Sequence, residues 1–112
     1  MKNKSLITVL MTVYNGERFI EKAIKSVLNQ TYTNFKFLII DNKSIDNTKI
    51  IIKSFQDNRI KLIELENNIG QTAALNKGLG LINTKYVARI DADDICLPER
   101  IEKQINYLDK NV

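Results

Sequence analysis

The sequence has no histidine, no tryptophan and a single cysteine, Cys96, in 112 residues. One cysteine excludes an internal disulfide and suits a reducing compartment. Without histidine, a His/Cys zinc site is also excluded. One proline and four glycines leave no linker or low-complexity tract. No apolar run nears the roughly 18 residues of a membrane span. Residues 1–4 are basic, but the apolar run after them breaks at Thr12 and Asn15 and carries no small-residue cleavage pattern, which argues against a signal peptide. Also missing is a basic stripe interleaved with aromatics. The net charge of +4 comes from scattered lysines and reads as solvated helix and turn faces rather than a nucleic-acid surface.

What remains is the composition of one globular domain over residues 1–112, at 44% hydrophobic and 27% charged. Residues 6–13 form a β-branched apolar run suited to a strand buried on both faces. The turn signal Tyr14-Asn15-Gly16 ends it. Residues 17–30 have helical period, with Phe19, Ile20, Ala23, Ile24, Val27 and Leu28 on one face. A second strand, 35–40, runs into the polar loop 41–48. The next helix reaches Phe55, with Asp46 as its expected N-cap and Ile50, Ile51 and Phe55 expected inward. Residues 59–65 alternate apolar and polar, which marks a strand nearer a sheet edge. A third helix over 71–82 carries Ala73, Ala74, Leu75, Leu79 and Ile82, and its Gly78 and Gly80 predict close helix–sheet packing. A fourth strand over 86–90 and a helix opened by Pro98 complete the chain.

Strands alternating with helices imply an α/β fold, Rossmann-like, with a mostly parallel sheet and helices on both faces. Right-handed crossovers lead to sheet order 3-2-1-4. The chain then reverses direction between strands 1 and 4, where such sheets bind ligands at their carboxyl ends. That brings together Thr12 to Asn15, Asp41 to Thr48, and Asp91 to Asp94. The last of these, Arg89-Ile90-Asp91-Ala92-Asp93-Asp94, puts three carboxylates just past a buried strand. Oxygen ligands of this kind suit a hard divalent cation shared with substrate phosphates. The alternative is a polar turn in which Asp93 or Asp94 caps the next helix. Tyr14 admits two readings, a ligand-facing aromatic or a residue on the core rim. Asp46 and Thr48 read first as caps, Asn76 and Gly78 as packing residues, Arg89 as an ion-pair partner and Cys96 as a small buried hydrophobe.

Taken in order, Thr8-Val9-Leu10-Met11-Thr12-Val13-Tyr14-Asn15-Gly16, Asp41-Asn42-Lys43-Ser44-Ile45-Asp46-Asn47-Thr48, Asn67-Asn68-Ile69-Gly70, Leu75-Asn76-Lys77-Gly78, Arg89-Ile90-Asp91-Ala92-Asp93-Asp94 and Leu97-Pro98-Glu99-Arg100 resemble the family 2 glycosyltransferases of GT-A fold, in particular bacterial members that build surface polysaccharides. The resemblance covers essentially the whole chain. It implies a nucleotide-diphospho-sugar donor, a UDP-sugar above all, with Mn²⁺ or Mg²⁺ as cofactor. It implies a nucleotide site of Thr12, Tyr14, Asn15, Asp41, Asn76 and Asp91. Asp41 would accept from the base and Tyr14 would flank it. Asp91 and Asp93 would form the DxD pair, with Asp91, Asp93 and Asp94 as the metal set.

The resemblance further implies inverting transfer to a glycan or lipid-linked acceptor by a cytoplasmic enzyme working at the inner face of the membrane. Two departures stand out: Asn42 where many members have a second acid, and Leu75 where many have arginine. Family catalytic domains are roughly twice this length, and their second half carries the acceptor site and the general base. The chain therefore reads as the donor-binding, N-terminal half of a GT-A fold, inactive by itself, with an uncovered surface through which it could self-associate. Two other readings are weaker. A nucleotidyltransferase would show a glycine-rich basic loop after strand 1. A flavodoxin-like module would show a fifth strand with a phosphate loop.

Overall fold

The structure, a computed structural model, describes residues 5–110; the basic residues 1–4 lie outside it. Its elements are β1 (Ile7–Val13), α1 (Ile20–Leu28), β2 (Phe35–Asp41), α2 (Thr48–Lys53), β3 (Ile60–Glu64), α3 (Gln71–Gly80), β4 (Tyr86–Arg89) and α4 (Arg100–Lys110). The four strands form one parallel sheet in the order β3-β2-β1-β4, as the alternation of elements predicts. β1 and β2 sit in the middle and are the most apolar strands. β3, with its alternating charges, lies at one edge.

Helices cover both faces, but unequally. On one face Val9, Met11, Phe37, Ile39 and Ala88 pack against Ile20, Ile24 and Val27 of α1, Ile52 of α2, and Ile101 and Ile105 of α4. On the other face Leu10, Leu38 and Ile40 meet Ala74 of α3. Gly78 permits that contact: a Cβ there would lie 2.7 Å from Leu10 Cδ1 and 3.3 Å from Ile40 Cγ1. Gly80 does not share the role, because a Cβ there would meet nothing within 4 Å.

The helix faces need three corrections. Around α2 the fully buried residues are Thr48 and Ile52, one turn apart; Ile51 and Phe55 pack half-buried against the same core as expected, but Ile50 is 68% exposed. Regular helix begins only at Thr48, which rotates the buried stripe away from Ile50. In α3, Ala73 and Leu79 are exposed, and Ala74 and Gly78 face the sheet at i, i+4 spacing. Before α1, residues 17–19 form a turn in which the Phe19 and Ile20 amides both donate to the Gly16 carbonyl. Phe19 is therefore displaced outward and half exposed.

Candidate nucleotide site at the carboxyl ends of the strands

Strand parity decides which polar side chains share a face. Successive side chains point to opposite faces. Phe37 and Ile39 belong to the α1/α2/α4 face, so Asp41 does too; Leu38 and Ile40 belong to the α3 face, so Asn42 follows them. On β1 the α3 face takes Leu10 and hence Thr12. On β4 the opposite face takes Ala88 and Ile90, which leaves Arg89 and Asp91 for the α3 face. Leu10 pairs with Arg89, and continuing that register sets Asp91 beside Thr12. Thr12, Asn42 and Asp91 thus converge on one side of the sheet at its carboxyl end. They line a cleft of about 430 Å³ together with Tyr14, Asn15, Phe19, Gln71 and Asp93.

The cleft's first wall is a pair of stitched loops. Asn15 takes a left-handed φ of 52°, which asparagine tolerates better than most residues. Its amide N–H donates to Ser44 Oγ (2.8 Å), and its Oδ1 accepts from the Ile45 amide (2.9 Å). The Gly16 N–H donates to the buried Thr48 hydroxyl (2.8 Å), which donates in turn to Asp46 Oδ1 (2.5 Å). Asp46 also accepts from the Thr48 and Glu17 amides. Burial opposes ionisation of Asp46, but these hydrogen bonds outweigh it and hold the carboxyl below its usual range. Asp46 therefore serves α2 from one residue before the N-cap position, which Asn47 occupies without a side-chain capping bond, its amide donating instead to Glu17 Oε2 (3.1 Å).

The second wall is the acidic cluster. Asp91, Asp93 and Asp94 are exposed, and one carboxylate oxygen from each lies within 4.8 Å of the others. The Asp94 amide donates to the Asp91 carbonyl (3.0 Å), closing a tight turn. Neither Asp93 nor Asp94 caps α4, which begins only at Arg100. Arg89 pairs with Asp91 at 3.6 Å, both half exposed, a contact that contributes little to stability. The segment after the acids is anchored to α1. The Cys96 amide donates to Ser26 Oγ, and the buried Gln30 donates to Leu97 O (2.7 Å) while its Oε1 accepts from the Ile101 amide (3.0 Å). Cys96 is buried as expected, and desolvation pushes its thiol up, away from reactivity at neutral pH.

The model of the family described as glycosyl transferase family 2 matches residues 8–112. The chain belongs to that family. An uncharacterized glycosyltransferase of Haemophilus influenzae is 42% identical over 113 residues, which take up 99% of this chain and 35% of the relative. The Escherichia coli UDP-Glc:alpha-D-GlcNAc-diphosphoundecaprenol beta-1,3-glucosyltransferase WfgD is 39% identical over 106 residues, 95% of this chain and 42% of that protein. The chain therefore spans well under half the length of these curated relatives. Among solved structures, residues 1–349 of Staphylococcus aureus TarS in complex with UDP superpose with a TM-score of 0.85 at 25% identity, over 93% of this chain and 32% of that one. A Pyrobaculum calidifontis mannosyltransferase solved with GDP-Man and Mn²⁺ gives a TM-score of 0.73 at 24% identity, over 81% of this chain and 28% of that one, a likeness of fold alone. The four-stranded unit is the N-terminal part of a GT-A fold.

Within this family 2 domain the expected residues divide. Thr12, Tyr14, Asn15, Asp91 and Asp93 line the cleft, and Asp94 stands beside it in the acidic cluster. Asn15 spends its side-chain oxygen on the loop, so it shapes the wall. Asn76 sits on the exposed side of α3 and is not among the cleft's lining residues. Asp41 is fully buried. Its Oδ2 accepts from the Ser44 amide (3.0 Å), its Oδ1 has no partner among the described residues, and it does not line the cleft. Asn42, Phe19 and Gln71 line it without having been expected. Parity counted from Phe37 would have found Asn42. A larger cleft of about 530 Å³, lined by Thr8, Lys36 and Lys61 among others, lies at the amino ends of the strands, where open α/β sheets do not place their ligands.

Proposed function

We propose that this chain is the donor-binding part of a glycosyltransferase and holds a nucleoside-diphospho-sugar, a UDP-sugar in the first instance, with Mn²⁺ or Mg²⁺. The convergence of Thr12, Asn42 and Asp91 on one face of the strand ends, with Tyr14 open between them, carries this reading. Asn42 directly follows β2 and Asp91 lies two residues past β4, with β1 between those strands, so they stand about two strand spacings, or ~10 Å, apart across the sheet. A nucleoside diphosphate laid along that line puts its base at the Asn42 end, against the half-exposed Tyr14 ring, and its phosphates at the acids.

Three carboxylate oxygens within 4.8 Å fit a hard cation, which prefers oxygen ligands and shares them with phosphates. Asp93 and Asp91 would hold it, with Asp94 alongside. When bound, the ion supplies charge neutralisation to the leaving diphosphate. The chain's own residues orient the donor. The Asn15–Ser44 and Gly16–Thr48–Asp46 bonds fix the base wall, and the Gln30 and Ser26 anchors fix the acids. Asp41 acts as a positioning residue beneath Asn42 through its bond to Ser44.

Inverting transfer to a glycan or lipid-linked acceptor belongs to the same proposal. We assign its general base to a part of the enzyme outside residues 1–112, since Glu99, just before α4, and Glu102, on it, lie away from the cleft lining. A thermal-shift comparison of UDP with and without Mn²⁺ tests the donor reading. Stabilisation that needs both supports it, and none in either condition removes it. Among the described residues no helix is long and apolar enough to cross a membrane.

A further inference from the structure

Asn42 has its amide orientation fixed by the backbone. The Ile69 N–H, a donor, points at Asn42 at 3.0 Å, so the atom it meets is the side-chain oxygen. The NH₂ group is left on the other arm of the same planar amide, and nothing among the described residues accepts from it. Asn42 is 4% exposed, yet it lines the cleft. Its own backbone amide donates to Val13 O at 2.8 Å, so the residue extends the β2 ladder and cannot swing away. The wall at this end of the cleft therefore presents a locked hydrogen-bond donor.

We infer that Asn42 sets the base selectivity of the site by presenting a donor where an acceptor would be needed to read an imide N–H. The inference rests on the donor-binding reading above and adds the polarity of the base end. Uracil offers an imide N–H flanked by two carbonyls; cytosine offers a bare ring nitrogen beside one carbonyl. A carboxylate accepts from the imide and repels the bare nitrogen, which favours uracil. A locked NH₂ donates equally to a uracil carbonyl or to the cytosine ring nitrogen and carbonyl. The site thus takes UDP and CDP with similar affinity.

Asn42→Asp tests this at nearly constant shape. One carboxylate oxygen keeps the Ile69 N–H and the other replaces the NH₂, so a donor becomes an acceptor. Calorimetric dissociation constants for UDP and CDP, each with Mn²⁺, are measured on the wild-type chain first, which needs no variant, and then on Asn42→Asp after its melting curve confirms folding. The wild type is expected to bind the two within about threefold. The variant is expected to shift the ratio at least tenfold toward UDP, a change that a merely structural role would not produce. A wild type that already prefers UDP more than tenfold, or a ratio that Asn42→Asp leaves unchanged, overturns the assignment while the donor reading stands. If neither nucleotide binds the wild type, it is the donor reading itself that fails, and the inference falls with it.

Discussion

The Thr48 hydroxyl joins the two loops that form the base wall, and Thr48→Val isolates its contribution. The side chain is fully buried, accepts from the Gly16 N–H at 2.8 Å and donates to Asp46. Valine matches threonine in shape but provides neither function. The Gly16 N–H is left buried without a partner, which costs about 1–3 kcal/mol. Loss of the bond to Asp46 adds a further ~0.5–1.5 kcal/mol, less than a fully buried charge would lose, because the carboxylate keeps its two backbone donors. The expected loss is about 2–4 kcal/mol, or roughly 8–16 °C in melting temperature at about 4 °C per kcal/mol for a domain of this size. Thr48→Ser keeps both hydrogen bonds and gives up one methyl, about 1 kcal/mol. Urea and thermal unfolding of the three proteins make the comparison. Nucleotide affinity should fall with Thr48→Val, since Gly16 and Asn15 line the cleft. A valine variant within about 2 °C of wild type, or a serine variant damaged as severely as valine, refutes the reasoning. In the latter case packing of the methyl, and not the hydroxyl, would hold the loops.

The two α3 glycines should respond oppositely to the same change. Gly80→Ala, into open space, should stabilise by ~0.5–1 kcal/mol through helix propensity, whereas Gly78→Ala sets that gain against an overpacking cost of about 1–3 kcal/mol at Leu10, so it should unfold at lower urea than Gly80→Ala. For pH, the folded-state pKa of Asp46 is depressed, so its contribution is fully present above the unfolded value of about 3.9 and is lost as pH falls through the folded value. Unfolding free energy followed from pH 5 toward pH 3 should therefore fall more steeply for wild type than for Asp46→Asn, and parallel curves would count against the role given to Asp46.

Much of the fold could be read from the order of residue types. The β-branched runs of β1 and β2, the alternation in β3 and the intervening helical periods lead to the sheet order without any tertiary information. The clustering of Tyr14, Asp91 and Asp93 follows from that order, because strand ends at a topological reversal are neighbours. Side-chain direction near element boundaries was harder to read. β2 runs one residue beyond its apolar stretch, so Asp41 keeps strand parity and turns into the core, which hands the cleft wall to Asn42. Phe19 belongs to the apolar period of α1 but sits in the turn before it, where the period does not apply. Ile50 and Ile52 are equivalent by composition, and only the first helical residue, Thr48, decides between them. The unequal coverage, with three helices on one face and α3 on the other, depends on crossover geometry that apolar periodicity does not encode.

The central claim is that the acids at the end of β4 hold the diphosphate end of a nucleotide through a metal. Titration calorimetry of UDP in the presence and absence of Mn²⁺, on wild type and Asp93→Asn, tests it most directly. Asp93 is exposed and forms no hydrogen bond or ion pair among the described residues, so its substitution should leave the melting temperature unchanged. The account predicts UDP binding to wild type that weakens at least tenfold, about 1.4 kcal/mol, without Mn²⁺ or with Asp93→Asn. UDP binding of equal strength in all four combinations would contradict it.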